Sequence, residues 1–260
     1  MTTPLSIDAA TAAADAALFP GFRPFRQMAN GVEIAGVIGG SGPPLLLLHG
    51  HPQSHVIWHK VAQELARDYT VVATDLRGYG ASSKPAGSAR HAEYSKRMMA
   101  QDQVEVMRAL GFGRFRLCAH DRGARVAHRL CVDHPVHVER AMLLDIAPTL
   151  AMYEHTDMAF ASAYWHWFFL IQPSPFPETL INATPDFYIG KLMGLRHAGL
   201  EPFAPEAMAT YAAAMREPAC VHAMCEDYRA AANIDLEHDR ADRDAGKRVS
   251  VPLRVQWADA

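Results

Sequence analysis

The sequence predicts an α/β fold in which helices flank a mostly parallel sheet and a helical cap is inserted between two strands. Short β-rich runs alternate with helical patterns over the first 148 residues, which is typical of βαβ units. Residues 149–248 instead form aromatic and Ala/Met-rich helical segments that prolines interrupt. Strand-like alternation then returns in VSVPLRVQW. We therefore predict a core of residues 1–148 and 249–260 and a cap of residues 149–248.

Each element of the core has its own signal. GVEIAGVIGG predicts a strand that ends in a Gly/Pro turn, and PLLLL predicts a fully buried strand. The apolar spacing in WHKVAQEL indicates a helix, which the strand YTVVAT follows. An amphipathic helix is expected from about Tyr94 to Leu110, before the strand FRLCA. A further helix should run from Asp121 to about Asp133, where the downstream Pro135 ends it, and RAMLLDIAP should form the next strand.

Composition limits the class of partner. The formal net charge is −3 and Lys/Arg-rich runs are absent, so neither nucleic acid nor an anionic membrane surface is an expected partner. A small molecule is the expected ligand. The first 22 residues contain neither a basic region nor an uninterrupted apolar stretch. We therefore expect a partly ordered tail, no membrane span and a cytoplasmic location.

The four cysteines do not suggest a disulfide framework. Two of them lie in CVHAMC, with a histidine between them. This spacing fits no common zinc pattern, and a second pair of ligands is hard to find. We expect buried thiols on a helix, no metal site and no cofactor.

The run CAHDRGAR contains the candidate nucleophile. It places Asp121 between the strand FRLCA and a helix, which is the strand-turn-helix context of a nucleophile elbow. Gly123 leaves room behind the turn, and Ala119 replaces the usual first glycine with the next smallest residue. The alternative is that Asp121 only caps the helix. The turn His49-Gly50 after LLLL favours the catalytic interpretation, since the fold places an oxyanion-hole amide there.

Two backbone amides and two arginines complete this prediction. The oxyanion hole would use the N–H groups of His51 and Arg122. Arg122 and Arg125 are three positions apart on the first helical turn, where the helix dipole also favours an anion. Two guanidinium groups there suit a carboxylate. The generic alternative is that they are surface arginines or that they pair with nearby acids.

Several motifs resemble the fluoroacetate (haloacetate) dehalogenases of the α/β-hydrolase superfamily. They are HGHPQSHVIWHKVAQEL, DLRGYGASSKP, AHDRGARVAHRL, LLDIAPT and MCEDYRAAANIDLEHD, which together span residues 49 to about 239. The DRGAR element is the most specific of them, because related epoxide hydrolases and haloalkane dehalogenases usually carry Trp after the nucleophile. The resemblance implies an α/β-hydrolase fold and a short haloacid as substrate.

The resemblance also implies roles for individual residues. Asp121 would displace halide from a saturated carbon and form an ester, and Arg122 and Arg125 would bind the substrate carboxylate. Asp145 would orient the catalytic histidine, with Asp259 as a competing candidate. His166, Trp167 and Tyr228 match the family's halide-pocket residues and would bind the leaving halide.

The family's catalytic histidine lies beyond the strand that corresponds to VPLRVQW, near the end of a longer chain. None of the 14 histidines occupies a matching position. We therefore expect a core that lacks its C-terminal part and a chain that forms the Asp121 ester once and then stalls, because only ester hydrolysis needs a base. Two alternatives stay open: an epoxide hydrolase that uses cap tyrosines, and a pseudoenzyme or binding protein without turnover. The sequence also leaves open whether the chain forms a homodimer.

Overall fold

The computed structural model describes residues 6–194 and 198–257. Within these ranges one seven-stranded sheet forms the core. The strands are β1 (Arg23–Ala29), β2 (Val32–Gly39), β3 (Pro44–Leu48), β4 (Thr70–Thr74), β5 (Phe115–His120), β6 (Val138–Leu144) and β7 (Leu253–Gln256). Their order in the sheet is β1-β2-β4-β3-β5-β6-β7. β2 pairs antiparallel with β1 and β4, and the remaining pairs are parallel.

The position of β3 inside the sheet accounts for its continuous apolar sequence. The residues Leu45 to Leu48 are all buried, because a strand inside a parallel sheet is covered on both faces and needs a continuous apolar run. β5 instead alternates between buried and half-buried positions. β7 stands at the edge of the sheet, and each of its four residues is exposed.

Four α-helices among the described residues belong to the predicted core, and two of them, α3 (Lys96–Ala109) and α4 (Asp121–Asp133), pack on the sheet. α3 contacts β1 and β2, and α4 contacts β5 and β6. α3 begins slightly later than predicted, because Ser95 caps it and accepts a hydrogen bond from the Met98 amide at 3.3 Å. The four are α1 (Ile7–Leu18), α2 (His59–Leu65), α3 (Lys96–Ala109) and α4 (Asp121–Asp133).

The N-terminal segment is more regular than the partly ordered tail that we predicted. Ser6 caps α1, and this alanine-rich helix packs against the helix Pro205–Met215 of the cap. Ala14 and Phe19 are buried there. Alanine has the highest helix propensity, but a sequence without a clear apolar stripe does not reveal the tertiary packing that fixes such a helix.

The described part of the interval that we predicted as the cap consists of helices and the loops that join them. Its helices lie between β6 and β7 in the chain. None of the described helices has both the length and the apolar character needed to cross a bilayer. The helices are α5 (Thr149–Glu154), α6 (Met158–Ala163), α7 (Trp165–Leu170), α8 (Phe176–Ala183), α9 (Pro185–Met193), α10 (Pro205–Met215), α11 (Pro218–Ala231) and α12 (Ile234–Asp244).

The register of the sheet positions the candidate site. Leu48 of β3 pairs with Ala119 of β5, and His120 pairs with Leu144 of β6. These strands are parallel, so the residues that follow each of them meet at one edge of the sheet, where open α/β sheets bind their ligands. The loop after β3, the turn at Asp121 and Asp145 are therefore neighbours.

Candidate active site

Asp121 sits in a strained backbone conformation at the start of α4. Its φ of 48° lies in the left-handed region, which costs a residue with a side chain about 1–3 kcal/mol and often marks a functional site. Two glycines make the turn possible. A Cβ at Gly123 would lie 2.2 Å from the His49 carbonyl oxygen, and a Cβ at Gly50 would lie 2.4 Å from the Asp121 Cβ. The close packing of these backbones therefore requires glycine at both positions.

The carboxylate of Asp121 is stabilised in its charged form. The His51 backbone N–H donates a hydrogen bond to its Oδ1 at 2.9 Å. Burial alone would raise the pKa of Asp121, but the charges of His120, Arg125 and Arg122 and the His51 amide together lower it below its ordinary value. Asp121 is thus an anion at neutral pH, as a nucleophile that attacks without a base must be.

Arg122 and Arg125 both point into the protein rather than to solvent, and their surroundings differ. Arg122 is fully buried and forms a double hydrogen bond with Asp227, in which Nε and Nη2 each lie 2.8 Å from a carboxylate oxygen. Its Nη1 is buried without a hydrogen-bond partner in residues 6–194 and 198–257. Asp227, which was not among the predicted site residues, therefore occupies the edge of the Arg122 guanidinium that can bind a carboxylate through two hydrogen bonds.

Arg125 has no comparable counter-charge. It is 4% exposed, and its Nη1 donates to the Ala147 carbonyl at 2.9 Å and to the Thr149 hydroxyl at 3.2 Å. Among the described residues no Asp or Glu forms a salt bridge with it. Burial, followed by the charge of Arg122, lowers its pKa to about 10, so the guanidinium stays charged at neutral pH. A buried cation without a partner is costly, and an anionic ligand would relieve that cost.

The three predicted halide-pocket residues lie close together, although α7 and α11 supply them from distant parts of the chain. Trp167 and Tyr228 are each 1% exposed, with ring centroids 6.1 Å apart, and His166 lies 5.9 Å from Tyr228. The Arg122 guanidinium carbon stands 4.1 Å from the Tyr228 ring centroid, and that of Arg125 stands 4.5 Å from the Trp167 ring. These are cation–π distances. Tyr228 therefore packs against Arg122, and Trp167 packs against Arg125.

A cavity of about 740 Å³ opens at this edge of the sheet. Asp121, Asp145, His51 and His166 line it. Asp145 follows β6 with a left-handed φ of 56°, and its backbone N–H donates to the Gln256 carbonyl at 2.8 Å. Apart from His166, no histidine in residues 6–194 and 198–257 forms a hydrogen bond or salt bridge with its side chain. The competing candidate Asp259 lies outside the described residues.

Sequence reasoning missed two buried acids that organise the site. Asp227 on α11 binds Arg122, Lys96 and the Tyr79 hydroxyl. Asp75 after β4 accepts hydrogen bonds from the backbone and ring nitrogens of His55 at 2.7 and 2.9 Å. The position of Asp227 directly before Tyr228 was the available signal for it, but its burial cannot be read from the sequence.

The two cysteines of CVHAMC are buried thiols on α11, as predicted. Cys220 and Cys225 are both fully buried. Burial raises the pKa of each thiol well above its ordinary value, so both remain protonated and unreactive at neutral pH.

Comparison with known proteins defines the class. A family model described as alpha/beta hydrolase fold matches residues 43–245. A solved structure from Nostoc sp PCC 7120, described as an alpha/beta hydrolase, has a TM-score of 0.88 and 54% identity, and the match covers 93% of this chain and 82% of that one. The chain belongs to the α/β-hydrolase family.

Similar proteins include a dehalogenase and an epoxide hydrolase. A fluoroacetate dehalogenase from Burkholderia sp is 51% identical over 92% of this chain and 78% of its own length. A soluble epoxide hydrolase from Corynebacterium sp. (strain C12) is 32% identical over 82% of this chain and 74% of its own length. The predicted resemblance is confirmed: the chain is a hydrolase homologous to fluoroacetate dehalogenase.

Proposed function

We propose that this chain removes the halide from a short 2-haloacid such as fluoroacetate, which yields glycolate when the reaction completes. One observation carries the proposal. The charge of Arg125 helps to keep the Asp121 carboxylate ionised, and Arg125 is itself a buried cation that forms no salt bridge among the described residues. That arrangement suits a ligand with a carboxylate at one end and an electrophilic carbon at the other.

The first step forms an ester. An oxygen of Asp121 attacks the carbon that bears the halogen, a C–O bond forms, and the C–X bond breaks with its electron pair leaving on the halide. The anionic nucleophile needs no base for this step. Fluoride is strongly hydrated in water, so the pocket must replace its hydration shell with hydrogen-bond donors. We assign that role to His166, Trp167 and Tyr228.

The second step hydrolyses the ester. Water attacks the carbonyl carbon of esterified Asp121, the His51 and Arg122 amides stabilise the oxyanion, and a base accepts the proton of the water. The tetrahedral intermediate then collapses: the bond between the Asp121 carbonyl carbon and the glycolate oxygen breaks, that oxygen takes the proton back from the base, and the Asp121 carboxyl is released and ionises. His51 is a poor candidate for that base. Burial and the charge of His166 lower its pKa to about 3, so it binds protons too weakly at neutral pH.

Asp145 would orient the base, but apart from His166 no histidine in the described part of the chain forms a hydrogen bond or salt bridge with its side chain. We therefore propose that displacement by Asp121 is fast in this chain and that hydrolysis of the ester is slow.

Mass spectrometry of the intact protein after incubation with fluoroacetate tests this function. We expect one equivalent of fluoride and a mass increase of one carboxymethyl group, which peptide mapping locates on Asp121. Asp121→Asn should give neither product. Steady turnover without an accumulated adduct would contradict the slow second step, and the complete absence of both fluoride and adduct would contradict the function itself.

An epoxide hydrolase is the second candidate, because one relative has that activity and also matches most of the chain. Styrene oxide carries no carboxylate and gains nothing from Arg125. We therefore expect adduct formation to be faster with fluoroacetate than with styrene oxide. A protein that only binds its ligand would form no adduct with either compound.

A further inference from the structure

The most highly connected buried acid near the site is Asp227, which lies on α11 directly before Tyr228. Its side chain is fully buried. Arg122 donates to both of its carboxylate oxygens, Lys96 contacts Oδ1, and the Tyr79 hydroxyl donates to Oδ2 at 2.7 Å. The Arg122 Nη2 also donates to the Asp227 carbonyl oxygen at 2.8 Å. Both carboxylate oxygens and the backbone carbonyl oxygen of Asp227 thus accept hydrogen bonds, and together they fix the plane of the Arg122 guanidinium.

This arrangement makes the two arginines inequivalent. Asp227 neutralises Arg122 and occupies its Nε and Nη2, so that the buried Nη1 is the one nitrogen without a hydrogen-bond partner in the described residues. Arg125 forms no salt bridge among the described residues. A substrate carboxylate would therefore meet the two N–H donors of the Arg122 Nη1 and the positive charge of Arg125.

Asp227 also prevents an unproductive contact. Arg122 directly follows Asp121 at the start of α4, and its charge lowers the pKa of Asp121. A guanidinium released from Asp227 could pair with the Asp121 carboxylate, which would reduce the nucleophilicity of Asp121 and compete with the substrate for Arg122.

The contacts of Asp227 reach the other parts of the site as well. Tyr79, which Asp227 holds through its hydroxyl, packs edge-on against His49 and His51 at centroid distances of 5.4 and 6.2 Å. These residues belong to the loop that presents the His51 amide to Asp121. One acid thus links the carboxylate site to the oxyanion loop.

We infer that Asp227 is the positioning residue of the carboxylate site: it holds Arg122 so that Nη1 alone serves the substrate, and it keeps this guanidinium away from Asp121. The inference rests on the proposed function, because it assumes a carboxylate ligand. It assigns to Asp227 the selectivity for a carboxylate over a neutral group of the same shape.

The test compares an acid with its amide. Chloroacetate and chloroacetamide both offer a chlorinated carbon to Asp121, but only the acid needs the arginines. For each protein the adduct on the Asp121 peptide is quantified over time by mass spectrometry, which separates it from any cysteine adduct. We expect Asp227→Asn to slow the reaction with chloroacetate ~10- to 100-fold more than the reaction with chloroacetamide, as loss of a charge-assisted hydrogen bond predicts. Calorimetry should show acetate binding weakened by a similar factor.

Asp102→Asn is the matched control. Asp102 is also fully buried, and it binds Arg77 through two hydrogen bonds of 2.8 and 2.6 Å. Its loss should lower stability in a similar way, but it should leave the ratio of acid to amide reactivity unchanged. Tyr79→Phe removes one hydrogen bond from Asp227 and provides a milder variant if Asp227→Asn does not fold. Its expected effect on the ratio is ~2- to 5-fold, and Asp227→Glu should restore part of the wild-type ratio.

The outcomes separate this inference from the proposed function. If the wild-type protein reacts with chloroacetate and the Asp227 and Tyr79 variants keep its acid-to-amide ratio, Asp227 is only structural and the inference is wrong. If the wild-type protein neither reacts with chloroacetate nor binds acetate, the proposed function is wrong, and the inference is overturned with it.

Discussion

Replacing each arginine of the site by methionine should separate stability from binding. Arg122→Met leaves Asp227 buried with one partner fewer, whereas Arg125→Met removes a buried cation that has no acidic partner among the described residues. Breaking a buried ion pair by removing one partner typically costs about 3–5 kcal/mol. Because Lys96 still contacts Asp227, we expect the lower end of that range, about 3 kcal/mol, for Arg122→Met.

Arg125→Met should cost much less. The variant loses the hydrogen bonds to Ala147 and Thr149, but it is also relieved of the desolvation cost of an unpaired charge. We expect a net loss of about 1 kcal/mol or less in the free energy of unfolding. In a protein of this size about 3 kcal/mol corresponds to a fall in Tm of about 6–12 °C, so the two variants should be easy to distinguish.

Both variants should nevertheless bind acetate poorly. A hydrogen bond to a charged group contributes about 1.5–3 kcal/mol, which corresponds to a roughly 10- to 150-fold increase in Kd. Urea denaturation gives the free energy of unfolding, and calorimetry gives the affinity. Equal destabilisation by the two substitutions would refute the assignment of Asp227 as the partner of Arg122 alone. Wild-type affinity in Arg125→Met would refute its role in carboxylate binding.

Two further predictions concern His55 and Trp167. Burial alone lowers the pKa of His55, but Asp75 and Asp15 raise it from 6.5 to about 10, so its stabilising charge is fully present below pH 6.5 and is lost as the pH rises towards 10. His55→Gln should therefore show a smaller decline in Tm between pH 6.5 and 10 than the wild type, and parallel curves would contradict this. Trp167→Phe removes the indole N–H and should slow fluoride release about 10-fold more than chloride release, because fluoride depends more on replacing its hydration; equal losses for both halides would contradict the halide assignment.

Local sequence signals were sufficient for most of the core. PLLLL predicted a buried central strand, and the elbow run predicted both Asp121 and the helix that ends at Asp133. These elements are specified by residues that are adjacent in the chain, through apolar continuity and turn geometry. The N-terminal helix was not recognised, because its packing against α10 is decided by residues about 190 positions away.

The partners of the arginines needed the tertiary structure. The sequence indicated that Arg122 and Arg125 share a helical face. From the sequence alone, the two arginines are therefore equivalent candidates for carboxylate binding. Asp227 lies 105 positions from Arg122, and no local pattern shows that its carboxylate occupies one guanidinium and leaves the other uncompensated. The same holds for Asp75 and His55, whose pairing depends on two loops that meet beside the sheet.

The sequence by itself determined the fold class, the strand-turn-helix at Asp121 and the candidate residues around it, because these features depend on residue type and short spacing. Only the tertiary structure decided how charge is distributed within the site. Burial and distance determine whether a charged side chain is neutralised, and both arise when segments far apart in the chain pack together. Asp121 and Arg125 were therefore predictable as residues, whereas the ionised state of the first and the missing counter-charge of the second were not.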